Sequence, residues 1–78
     1  MEEIREKELR ERFIREAREK EGAAEMLIAA IKLPTGAVEI ITNTALIPTK
    51  VDYYKTAYDE RFRLKGNKSV RIIGFMFI

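Results

Sequence analysis

Hydrophobic and polar positions follow three rhythms along this chain. Over residues 2–21, "EEIREKELRERFIREAREKE", charged residues dominate, and apolar ones recur at Leu9, Phe13 and Ala17 with Ile14 beside them. Spacings of three and four mark one face of a helix, and the residue types are strong helix formers. Glu precedes a basic residue by four positions at Glu3/Lys7, Glu6/Arg10, Glu8/Arg12, Glu11/Arg15 and Glu16/Lys20, the favourable orientation for ion pairing along a helix. The apolar stripe is thin for a buried helix and irregular for sustained heptads. It predicts a charged helical extension over residues 1–25, with a docking arm or dimerisation helix as the functional reading. Gly22 is the expected stop.

The rhythm then changes. "MLIAAIKL" is a short, nearly continuous apolar run, as in an interior strand. "LPTGA" follows, with Pro34 suited to the first corner of a turn and Gly36 to the left-handed position that completes a three-residue hairpin loop. "VEIITNT" predicts the second strand. Thr49 with Asp52 resembles a capping box, with Pro48 as a competing helix start. Val51, Tyr54, Tyr58 and Phe62 then recur on one helical face, and Gly66 is the expected stop. Residues 70–78, "VRIIGFMFI", read as a third strand.

These elements predict an α+β domain over 26–78: a small antiparallel three-stranded sheet, β-β-α-β in strand order 3-1-2, with one covering helix and the extra N-terminal charged helix. Simple alternation divides the strands into two faces. The helix is expected to cover Leu27, Ala29, Ile31, Leu33, Val38, Ile40, Val70, Ile72, Met76 and Ile78. The opposite face carries Lys32, Glu39, Asn43 and Arg71, but also Ile28, Ala30, Ile41, Ile73, Phe75 and Phe77. That is more apolar surface than a monomer tolerates comfortably. Either the N-terminal helix or a second copy must cover it. The thin stripe on the helix favours a homodimer with those six apolar residues as its interface.

Composition narrows the chemistry. Seventy-eight residues allow one domain. The absence of Cys and His removes disulfides, the thiolate nucleophile, the commonest general base and the commonest metal ligand. No Ser or Thr has an evident activating base, and neither "PTGA" nor "KGNKS" has the glycine spacing of a phosphate loop. The reading is therefore no enzyme and no cofactor. No apolar run approaches the length of a membrane span, and the acidic N-terminus does not resemble a signal peptide, so a cytoplasmic protein without membrane partners is expected.

The net charge of +2 hides an asymmetry: residues 1–25 hold seven Lys/Arg against nine Glu, and residues 26–78 hold eight Lys/Arg against four Asp/Glu. Arg61, Arg63, Lys65, Lys68 and Arg71 form the one basic cluster, a candidate partner-binding site, with Tyr53 available for stacking. Helix ends and strand flanks attract cations for structural reasons too.

Residues 26–78, from "MLIAAIKLPTGAVEIITNT" through "VDYYKTAYDERFRLK" to "VRIIGFMFI", look like a complete very small protein with its own initiator methionine. In length, strand order and core composition they are similar to short proteins of Bacillus-type phages, and resemble in particular the Hachiman anti-defence family. The resemblance implies a small homodimer in the host cytoplasm that disables a bacterial helicase–nuclease immune system by binding a host defence protein. It carries over no individual residue, and residues 1–25 lie outside it. The expected function is thus a non-enzymatic, homodimeric phage inhibitor of anti-phage defence. The alternative is a small nucleic-acid-binding accessory protein using the basic cluster at 61–71.

Overall fold

The computed structural model describes residues 2–20, 22–42 and 45–78. The elements are α1 (Glu2–Lys20), β1 (Leu27–Lys32), β2 (Val38–Ile41), α2 (Ile47–Ala57), β3 (Arg63–Leu64) and β4 (Asn67–Phe77). They form an α+β fold with a four-stranded antiparallel sheet ordered β2-β1-β4-β3. The expected central position of β1, between the hairpin partner and the last long strand, is present. Beyond Phe77 the ladder is tied back: Glu25 and Met26 donate to the Ile78 carbonyl at 2.6 and 3.2 Å, and Ile78 donates to Met26 at 2.9 Å. The part of the expected second strand at Asn43 and Thr44, and Glu21 of the expected helix, lie outside the described residues.

Three features depart from the expected three-stranded sheet with one covering helix and a separate N-terminal helix, each for a local reason. The first is the second helix. It starts at Ile47 with Pro48 in its first turn, and no side chain caps it, so the Thr49–Asp52 capping box does not form. It ends at Ala57, because Tyr58 is already extended and bridges to Leu64. Asp59 N–H donates to Arg63 at 2.8 Å, and Phe62 N–H donates to Asp59 at 2.9 Å. That closes a three-residue loop whose last position, Phe62, has φ +58°. Phe62 is fully buried there, at 0 % exposure. The helical spacing of Tyr58 and Phe62 therefore reports two core residues delivered by a turn, not a longer helix. The residues after the loop become the edge strand β3, and Gly66 sits between β3 and β4 instead of ending a helix.

The second departure is the division of faces. Leu33 N–H donates to Ala37 and Gly36 N–H to Leu33, so the β1–β2 loop has three residues and pairs positions of like parity: Ala29 with Ile41, Ala30 with Ile40, Lys32 with Val38. Ile41 thus shares the face of Ala29 and Ile31, while Val38 and Ile40 take the other. In β4 the register slips by one between Ala30 and Ile31, leaving Ile73 as an extra residue. A bulge of this kind reverses the alternation beyond it. Ile72 pairs with Ile31, yet Phe75 pairs with Ala29 and Phe77 with Leu27. Phe75 and Phe77 therefore turn toward the core, and Met76 toward solvent.

The third departure is α1. The sequence presents it as a solvated extension, but Phe13 and Ala17 are buried in the same core as Leu27, Ala29, Ile31, Ile47, Val51, Tyr54, Tyr58, Phe62 and Ile72. The Phe13 ring meets Phe75 at 5.1 Å, Phe62 at 5.3 Å, Phe77 at 5.8 Å and Tyr54 at 6.1 Å between centroids. Arg12 lies over Phe75, 4.9 Å from the ring centre. Both helices therefore cover one face of the sheet. A stripe too thin to look buried suffices because one phenylalanine fills the hollow among four aromatic rings.

Candidate functional site

Four of the five basic residues singled out by sequence come together in two acid-centred groups, and all four are already occupied. Glu6 of α1 is 7 % exposed. Its carboxylate accepts from Arg63 through Nε at 2.8 Å and Nη2 at 3.1 Å, and from Arg61 Nη2 at 3.1 Å. Arg71 Nη1 lies 3.5 Å from Oε2. Burial pushes the Glu6 carboxyl up, and the guanidinium groups of Arg63 and Arg61 more than offset it, leaving its pKa below the ordinary value. Lys68 Nζ donates to Asp59 at 2.6 Å. Asp59 also accepts from the backbone N–H groups of Arg61 and Arg63 at 2.8 and 3.0 Å. Burial raises its pKa, but Lys68 and those N–H groups outweigh this and hold it at about 2. Lys65 is exposed on the β3–β4 turn.

The cluster is thus a clasp: β3 and β4 grip α1 across the sheet edge. The helical spacing of Glu6 and Arg10 suggested a pair within α1. Instead Arg10 donates to the Lys55 carbonyl at the end of α2, and Glu6 goes to partners 55 or more residues away. Glu16 and Lys20 do pair along α1, at 3.0 Å.

The six expected interface residues separate. Phe75, Phe77 and Ile41 lie on the helix-covered face, while Ile28 and Ala30 lie on the open one, and Ile73 occupies the bulge. The open face is nevertheless apolar with a different membership. Val38, Ile40 and Met76 are 51, 58 and 59 % exposed; in the paired register Ile40 lies beside Ala30, which faces Gly74, Met76 beside Ile28, and Val38 beside Lys32 at the end of the face. Nothing lies within 4 Å of a Cβ built on Gly74. The face is therefore a hollow over Ala30 and Gly74 rimmed by long side chains. The strand parity of "VEII" and the bulge at Ile73 decide this membership, and alternation alone carries neither.

A third feature has no counterpart in the sequence pattern. Lys50 of α2 is 4 % exposed, and its Nζ donates to the Leu27 carbonyl. Burial lowers its pKa. It lines a cleft of about 430 Å³ together with Ile31, Ile41, Ala45, Thr49, Tyr53, Tyr54 and Tyr58. Burial, then the neighbouring Tyr53 and Tyr54, push the Tyr58 phenol up to about 12.

Among the described residues, no group of acidic side chains is placed to hold a metal ion, and no helix is long and apolar enough to cross a membrane. No family model, curated protein or solved structure matches the chain.

Proposed function

We propose that this chain is a non-enzymatic interaction protein that works as a homodimer, two copies meeting sheet to sheet through the open face. The observation that carries the reading is the exposed set Val38, Ile40 and Met76 around the Ala30–Gly74 hollow. A contiguous exposed apolar patch rimmed by polar residues marks an interaction surface. A twofold contact places the same patch on both sides, so the rim of one copy fills the hollow of the other. The resemblance of residues 26–78 to the Hachiman anti-defence family supports a phage inhibitor of a helicase–nuclease defence system as the role of that dimer. The nucleic-acid alternative is weakened, since Arg61, Arg63 and Arg71 are drawn to Glu6 and Lys68 to Asp59.

Two measurements test the reading. Light scattering across a concentration series is expected to show a dimer that Met76→Lys and Ile40→Lys convert to a folded monomer. A wild-type monomer at high micromolar concentration overturns the dimer. For the role, expression in bacteria carrying the helicase–nuclease system is expected to restore phage plating, and the purified chain to co-elute with that enzyme pair. Unchanged plating and separate elution overturn the inhibitor reading and leave the dimer standing.

A further inference from the structure

The Lys50 cleft is unused by the dimer reading. Its wall is largely aliphatic and aromatic, from Ile31 and Ile41 of the sheet to Tyr53, Tyr54 and Tyr58. The three tyrosines form a mutual cluster, with centroids 5.5 to 6.2 Å apart and edge-to-face geometry. Edge-to-face contacts of this kind are the ones a further aromatic group would also make with an exposed ring. Tyr54 and Tyr58 are buried and serve the core, but Tyr53 stands half exposed at the rim.

Among the described residues, Lys50 is the one cationic side chain in the cleft wall. It meets the Leu27 carbonyl, two residues beyond the last described β1–β2 pair at Ala29 and Ile41. That contact anchors a cation against an apolar cavity. The cavity volume lies in the range that holds a small organic molecule. An apolar cavity with a single cationic group at its wall recognises a flat ring carrying one negative charge, because the ring replaces water on the tyrosines and the anion pairs with the ammonium where screening is weak.

We propose that this cleft binds a small aromatic anion, a flat ring bearing a carboxylate or sulfonate, with Lys50 as its charge partner and Tyr53 closing over the ring. The probe is 2-naphthoate, with 2-naphthol as the neutral analogue of the same shape, and the readout is amide and side-chain NMR shifts of the full chain. Binding of 2-naphthoate is expected to shift resonances of Ile31, Ile41, Tyr53, Tyr54 and Tyr58, with 2-naphthol at least about tenfold weaker. Tyr53→Ser, at an exposed position, is expected to keep the fold and weaken 2-naphthoate about tenfold. Lys50→Met, checked for folding by its spectrum, is expected to erase the preference for the charged probe. Shifts confined to Ile40, Met76 and their neighbours, equal binding of the two probes, or wild-type affinity in both variants overturns the proposal.

Discussion

Two three-residue loops in this molecule share one hydrogen-bonding pattern and differ in what occupies the tight corner. In the β1–β2 loop, Leu33 N–H reaches Ala37 at 2.8 Å and Gly36 N–H reaches Leu33 at 2.9 Å. In the loop before β3, Asp59 N–H reaches Arg63 at 2.8 Å and Phe62 N–H reaches Asp59 at 2.9 Å. The last loop residue has positive φ in both, +91° at Gly36 and +58° at Phe62. Glycine adopts that conformation freely, whereas a bulky side chain pays for it in backbone strain. The second loop persists because the strained position delivers Phe62 into the core against Phe13, and because the Asp59 carboxylate holds two N–H groups of the same loop. One loop is specified locally and the other by its tertiary surroundings.

The largest expected effect is at Phe62. Phe62→Ala is expected to cost about 3–5 kcal/mol in denaturant unfolding, by emptying a fully buried ring site. Phe62→Gly removes the same ring but also the strain, so it is expected to be more stable than Phe62→Ala by about 1 kcal/mol. Equal stability of the two variants would remove strain from the comparison.

Asp59→Asn is expected to cost roughly 1–3 kcal/mol at neutral pH, since it weakens charged hydrogen bonds to two N–H groups and Lys68. Acid separates the loops further. Asp59 is depressed from 3.8 to about 2, so its contribution is present above the unfolded-state value and is lost as pH falls through about 2. Glu6, also lowered, loses its contribution in the same direction. Residues 33–37 contain no ionisable side chain. Amide exchange followed from pH 5 to 2 is therefore expected to loosen Arg61 and Arg63 while leaving Gly36 and Ala37 unchanged, and Asp59→Asn is expected to abolish most of that difference.

Gly36→Ala is expected to cost about 1–2 kcal/mol. Nothing lies within 4 Å of the added Cβ, so the loss is purely one of backbone conformation. The smallest effect is at Thr35, whose hydroxyl accepts from Ala37 N–H at 3.3 Å in an exposed turn. Thr35→Ala is expected to cost under about 1 kcal/mol by thermal unfolding. A loss at Thr35 matching that at Asp59 would mean the two loops depend equally on side-chain bracing.

The same contrast explains what was readable in the sequence. Gly36 announces its own conformation, and the hairpin, β1 at the centre and the long last strand follow from short-range patterns. Phe62 announces burial, which helical spacing attributes to α2 although a turn accomplishes it. The parity of β2 follows from the loop length already visible in "LPTGA", while the bulge at Ile73 leaves no mark in the alternation and exchanges Phe75 and Phe77 for Met76 on the open face. Glu6 looks like the other glutamates of α1, because the three arginines that claim it are remote in sequence. Lys50 looks solvated for the same reason: the carbonyl it serves belongs to β1.

The placement of β1 between β2 and β4 sets an order in time as the chain is synthesised. β1 and β2 are neighbours in sequence and meet at once, but the other edge of β1 pairs with a strand that ends at Phe77, 45 residues after Lys32. At about 5–20 residues per second, that edge waits roughly 2–9 seconds for its partner. A two-stranded hairpin is marginal alone, and α1, made first, has neither Phe75 and Phe77 to pack on nor the arginines to clasp Glu6. During those seconds the apolar edge of β1 is open to a chaperone or to another nascent chain, and each competes directly with β4.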